Sequence, residues 1–174
     1  MAISTITGAS TGSTGTVITT GSSGQVIPKA ALPTGSVLQV VNSSYSTATS
    51  TSSTSYVSTG HTGSITPTSS TSKILIIVSG GAAWNNNIVN KNANFTIYRN
   101  AANLASDALS NLYCNAYFTS SIAMSYLDSP ATTSSTTYTV YFKTESGGTI
   151  NYVFQPGGTS ATIPASMTLM EISA

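Results

Sequence analysis

The sequence predicts an all-β protein, an antiparallel β-sandwich or jelly roll preceded by an extended N-terminal arm. Three observations predict it. Short β-prone runs recur along the 174 residues, separated by Gly, Pro, Asn and Ser clusters. No stretch reads as a long helix. The composition is 40% hydrophobic but only 5% charged, against about 25% charged in an ordinary soluble domain. A Ser/Thr/Asn surface with so little charge suits all-β proteins that live in assemblies, because charge is the usual guard against association.

The same numbers bound the function. The length fits one domain plus a tail. A net charge of +1 leaves no basic stripe for a phosphate backbone and no polybasic patch for anionic lipid, so neither nucleic acid nor membrane is an expected partner. No run approaches the roughly 20 apolar residues of a membrane span. The start Met1-Ala-Ile-Ser lacks the basic and apolar segments of a secretory signal, which predicts synthesis in a cytosol without classical secretion. The single Cys114 excludes an internal disulfide and reads as a small buried hydrophobe on a strand.

Residues 1–33 form a distinct region. Ile3-Ser-Thr-Ile-Thr-Gly8 and Gly15-Thr-Val-Ile-Thr-Thr-Gly21 are short β-prone clusters between Gly/Ser/Thr spacers. Alone they bury too little to offset the entropy of ordering. They read as an assembly arm that contacts a partner through Ile3, Ile6, Val17 and Ile18, the alternative being a free tail. Ile27-Pro-Lys-Ala-Ala-Leu-Pro33 is an extended connector, since prolines exclude helix. The domain is expected over residues 34–174.

Within it, Ser36 to Asn42 is the first strand. Tyr45 to Val57 reads as a weak outer strand with a loop. Gly60-His-Thr-Gly-Ser-Ile-Thr-Pro67 is a short strand among turn residues, with His61 in the turn. Lys73-Ile-Leu-Ile-Ile-Val-Ser-Gly80 is the central strand. Ile74, Ile76 and Val78 point one way, Leu75 and Ile77 the other, and both faces are apolar. An antiparallel sheet with one wet face would alternate, so this strand expects cover on both sides. Gly80-Gly81 is expected to end it, and residues 82–94 to form a long polar loop.

Asn94 to Asn100 alternates, with Phe95, Ile97 and Arg99 on one face. Residues 104–111 fit either a strand or a helical turn. Leu112 to Phe118, Ser121 to Leu127, Thr137 to Lys143, Thr149 to Phe154 and Met167 to Ile172 are further strands. The last is apolar on both faces like the central one, and the first and last strands are expected to pair. The outward residues of the two doubly apolar strands, Leu75, Ile77, Met170 and Ile172, together with Glu171 and Arg99, are the expected subunit interface. Glu171 lies among large apolar neighbours and needs a partner, for which Arg99 or Lys73 is expected.

Chemistry is sparse. Asp107, Asp128, Glu145 and Glu171 are the only carboxylates, two of them in turn sequences. A converging acid pair of the kind glycoside hydrolysis needs is not visible. The lone His61 in a Ser-rich chain makes any paper triad uninformative. One His, one Cys and scattered acids give no metal spacing, so no catalytic residue, metal or cofactor is expected. Trp84 with Asn85 and Asn86 is the candidate glycan contact, an aromatic face beside amides; the plainer reading is a Trp plugging the end of the sandwich.

The order KILIIVSGG, FTIYRN, SIAMSYLDSP, TYTVYFK, MTLMEIS resembles the C-terminal jelly-roll modules of bacteriophage virion proteins. Pro33 to Val41 and Thr168 to Ile172 match the start and end motifs of such modules, and the resemblance covers residues 28–174. The strand order is also similar to the trimeric jelly rolls of tumour necrosis factor and complement heads. The resemblance implies a virion-surface structural protein, a homotrimer that joins other virion proteins through its arm. It fits capsid decoration or a head fibre, or alternatively a tail appendage that recognises a host glycan. It implies no catalytic residues.

Overall fold

A computed structural model describes residues 32–86, 89–115, 119–145, 148–153 and 163–174, with the backbone alone at 82–86, 89–91, 114–115 and 119. The arm residues Ile3, Ile6, Val17 and Ile18 lie outside the described residues. Those described contain strands and no helix. The strands are β1 (Val37–Tyr45), β2 (Thr49–Thr51), β3 (Val57–Ile65), β4 (Lys73–Asn86), β5 (Val89–Arg99), β6 (Ala102–Asn103), β7 (Ser110–Asn115), β8 (Thr119–Asp128), β9 (Thr136–Thr144), β10 (Thr149–Tyr152) and β11 (Ala165–Ile172).

They build two antiparallel sheets packed as a sandwich. In the first, β1, β11, β4 and β8 lie side by side, and β10 with β2 continues beside the second half of β4. In the second, β3, β9 and β5 are neighbours, and β7 and β6 pair with successive parts of β5. The chain changes sheet between β2 and β3, β3 and β4, β4 and β5, β7 and β8, β8 and β9, and β9 and β10. This repeated crossing is the jelly-roll wrapping. The first and last strands pair as expected, from Val37 opposite Ile172 to Tyr45 opposite Ala165. Two backbone bonds of 2.9 Å, Gly35 N–H to Ser173 O and Ser173 N–H to Ser36 O, close the ends together.

The core follows from period-2 alternation. Ile74, Ile76, Val78, Met167, Leu169, Ile122 and Met124 face inward from the first sheet, and Phe95, Ile97, Tyr138, Val140 and Phe142 from the second. Phe95 and Phe142 stack across β5 and β9 with centroids 6.1 Å apart.

Two local expectations are corrected, and the open reading of residues 104–111 is decided. Gly80-Gly81 does not end the central strand. Both glycines take positive φ, +83° and +66°, and the pairing with β8 shifts by one residue there. This is a bulge, which only residues without Cβ adopt at low cost, and β4 runs on to Asn86. The stretch 82–94 is therefore mostly strand. His61 is not in a solvated turn: it sits inside β3, fully buried. Residues 104–111 hold a turn and then the start of β7, with no helix.

The bulge is held by its neighbour. Gly81 N–H donates to Pro164 O at 3.0 Å, and a Cβ on Gly80 would stand 2.8 Å from the same oxygen. Gly80→Ala should therefore lower unfolding stability by about 1–3 kcal/mol, read as a shift of the guanidinium midpoint at constant slope. An unchanged midpoint would show that the bulge is not constrained there.

Candidate functional site

The pairing of β1, β11, β4 and β8 sorts their side chains into rows. Across the outer face, Val40 stands opposite Met170, Met170 opposite Leu75, and Leu75 opposite Leu127. One apolar row thus crosses four strands. Val40 is 57% and Leu127 52% exposed, so the row is open at both ends, while Met170 and Leu75 are half-buried between them. Beyond it, Ile172 lies opposite both Val37, 51% exposed, and Lys73. On the other side the rows turn polar but stay uncharged: Asn42, Thr168, Ile77 and Ser125, then Ser44, Ser166, Ser79 and Ala123. Ile77, Ser79, Ala123 and Ser125 line a shallow groove of about 300 Å³ between β4 and β8. Among the described residues of this face, Lys73 at its end carries the only charge.

The expected interface residues are thus divided. Leu75, Ile77, Met170 and Ile172 do lie together on one outward face. Glu171 does not: the alternation of β11 turns it inward, and it is fully buried. Its partners are neither Arg99 nor Lys73. Thr68 donates to Oε1 from its backbone N–H and from its hydroxyl, both at 2.7 Å, and Gln39 Nε2 donates to Oε2 at 2.6 Å. Burial alone would raise the Glu171 pKa, but the hydrogen bonds from Thr68 and Gln39 outweigh it and hold the carboxyl at about 2.

Arg99 is likewise engaged inside its own chain. It binds Asp128, the buried last residue of β8, through Nη1 at 2.8 and 2.9 Å, and Tyr138 donates to Asp128 Oδ2 at 2.7 Å. The cluster ties β8 of one sheet to β5 and β9 of the other. Reasoning from sequence missed Val40 and Leu127. Val40 stands beside Val41 and Leu127 beside Tyr126, so the local pattern does not say which of each pair faces outward, and only the four-strand register aligns Val40 and Leu127 with Leu75 and Met170.

His61 makes a second clasp between the sheets. Its Nδ1 lies 2.7 Å from the Tyr152 hydroxyl and its Nε2 3.4 Å from Ser43 O. The carbonyl can only accept, so Nε2 carries the hydrogen and Nδ1 accepts from Tyr152. The ring stacks on Tyr45 at 5.3 Å. Burial lowers its pKa, against a smaller opposing effect of Ser43 O. The imidazole and the carboxylates of Asp128 and Glu171 all have their partners within the fold, and they hold the sheets together. Among the described residues no three His, Cys, Asp or Glu side chains converge as metal ligands. The backbone of Trp84, Asn85 and Asn86 lies in β4 opposite Asn151, Ile150 and Thr149 of β10, and their side chains fall outside the described residues.

Comparison with protein-family models and with curated proteins finds no match for this chain.

Both depressed pKa values act in the same direction. A group whose folded pKa lies below its unfolded value adds stability that is complete above the unfolded pKa and fades as pH falls. For His61 this loss begins below 6.5, and for Glu171 it runs from 4.5 down towards about 2. The unfolding midpoint should therefore fall with acidification in two stages. Glu171→Gln should flatten the lower stage, and Glu171→Ala should cost about 1–3 kcal/mol at neutral pH through the donors it strands. A midpoint that does not move between pH 5 and pH 2 would contradict the Glu171 assignment.

Proposed function

We propose that this chain is a bacteriophage virion structural protein that assembles as a homotrimer on the virion surface, as capsid decoration or a head fibre. The observation that carries this reading is the outer face of β1, β11, β4 and β8: an apolar row in register across four strands, flanked by Ser, Thr and Asn, with one charge at its end. A face of this kind loses little on desolvation and gains from burying Val40, Met170, Leu75 and Leu127. Apart from Lys73 at its end, nothing described on it repels a second copy. The end motifs at Pro33 to Val41 and Thr168 to Ile172 support the phage assignment by resemblance. In this reading residues 1–33 are the arm that engages other virion proteins. A second reading, a tail appendage that recognises a host glycan, draws on Trp84, Asn85 and Asn86.

The native mass of the purified protein tests the assembly. Three times the 17.7 kDa chain mass is expected, and Leu75→Glu combined with Met170→Glu should give folded monomer with unchanged β-sheet circular dichroism. A wild-type monomer or dimer overturns the trimer. Deleting residues 1–30 should abolish attachment to capsids that lack the protein while the trimer persists. If attachment survives the deletion but host adsorption fails on changing Trp84, the second reading replaces the first.

A further inference from the structure

The outer face of the second sheet has a different chemistry. Tyr98 of β5 and Tyr141 of β9 alternate out of the core, and their rings stack with centroids 3.9 Å apart. Tyr56, just before β3, sets its ring edge against Tyr98 at 6.2 Å and 61°. The Lys143 ammonium lies 4.4 Å from the centre of the Tyr56 ring. Asp107, in the turn after β6, receives Lys143 Nζ and the Tyr56 hydroxyl, each at 3.0 Å and both at Oδ1. Its side chain is 74% exposed, so Oδ2 faces solvent with no described bond.

Stability accounts for only part of this group. The Lys143–Asp107 pair, open to solvent on the Asp107 side, contributes about 0–1 kcal/mol, and the partly buried Tyr56, Tyr98 and Tyr141 lie outside the core cluster. The chain has few charges to place: Arg99, Asp128 and Glu171 sit at the inner end of the sandwich, whereas Asp107, Lys143 and Glu145 gather on this face. Asn92 donates to Glu145, and Asn111 to Asn94, beside them.

The arrangement selects a ligand class. Tyrosine rings offer a flat apolar surface with a polar tip, which suits the C–H face of a sugar ring. A carboxylate oxygen accepts sugar hydroxyls strongly, and an ammonium donates to them. Asp107 and Lys143 cancel each other in charge, so the site does not favour anionic ligands. A phosphate would find one cation, already paired, and an apolar peptide would meet a surface broken by Asn and charge. We propose that this face binds a neutral saccharide, stacked against the Tyr98–Tyr141 pair and read by Asp107 and Lys143. The site shares no residue with the assembly face and does not depend on the trimer.

Saturation-transfer NMR with maltotriose, cellotriose, chitotriose and anionic 3′-sialyllactose tests it. At least one neutral trisaccharide should receive saturation, with the sialylated one weaker. Tyr141→Ala and Asp107→Ala should each weaken the bound sugar by about tenfold or more, as expected for a lost charged hydrogen bond or stacking partner. Should Tyr141→Ala fail to fold, Asp107→Ala, whose side chain is mostly in solvent, carries the test alone. No transfer to any neutral trisaccharide overturns the proposal. So does binding that survives Asp107→Ala, or that is lost only with Trp84→Ala.

Discussion

Strand β4 is bonded along its first half to β11 on one side and β8 on the other, and β11 is bonded to β1. One register therefore decides which side chains of four strands face the core. The strand is apolar on both faces, so composition does not choose the inward face; pairing does. A slip of one residue would exchange the two faces, burying Lys73 and Leu75 and exposing Ile74 and Ile76. The neighbours remove that ambiguity. On β11, Glu171, Leu169 and Met167 match Ile74, Ile76 and Val78, while Ser166 and Thr168 stay outside. On β8, Met124 and Ile122 point in while Ser121, Ala123 and Ser125 point out. The doubly apolar strand takes its orientation chiefly from β8, which alternates over residues 121–125, because β11 itself carries Glu171 inside and Met170 and Ile172 outside.

The innermost row at the end of this sheet runs Gln39, Glu171, Ile74, Asp128. Two of the chain's four carboxylates therefore flank one buried isoleucine. Each would be costly alone, because an unpaired charge in a core is strongly disfavoured. Each is matched by donors from another part of the fold: Thr68, in the loop that crosses between sheets, for Glu171, and Arg99 and Tyr138 of the opposite sheet for Asp128. The apolar core thus ends in a polar layer whose bonds form only when both sheets and the crossing loop are in place. His61, bonded to Tyr152 and Ser43, makes a similar demand elsewhere in the sandwich. The clasps add cooperativity to a domain held otherwise by non-directional burial.

Much of this was legible in the sequence. The alternation of Tyr138, Val140 and Phe142 gave the inner face of β9, and the doubly apolar run 74–78 gave both the core and the outward Leu75 and Ile77. Misreadings arose where local rules met distant constraints. A Gly pair after an apolar run looks like a strand end, and only the neighbouring Pro164 carbonyl makes it a bulge. The inward set of β3 is Thr59, His61, Gly63 and Ile65, which shows no apolar alternation and so resembles a turn. Gly63 is small because a Cβ there would lie 3.0 Å from Met167 Sδ and 3.3 Å from Leu169 Cδ1, a crowding set by a strand one hundred residues away. The partners of Glu171 and Arg99 come from equally remote segments. Tyr56 precedes its strand, so no periodicity linked it with Tyr98 and Tyr141.

The two outer faces divide the polar chemistry unequally. One carries an apolar row with Ser, Thr and Asn around it; the other carries tyrosines, asparagines and three of the few charges. An uncharged face is a liability in a free monomer, whereas a tyrosine and charge cluster is tolerable in water and useful only where a ligand can reach it. In the proposed assembly, covering the face of β1, β11, β4 and β8 leaves the opposite layer turned outward, so the two faces place compatible demands on one sandwich.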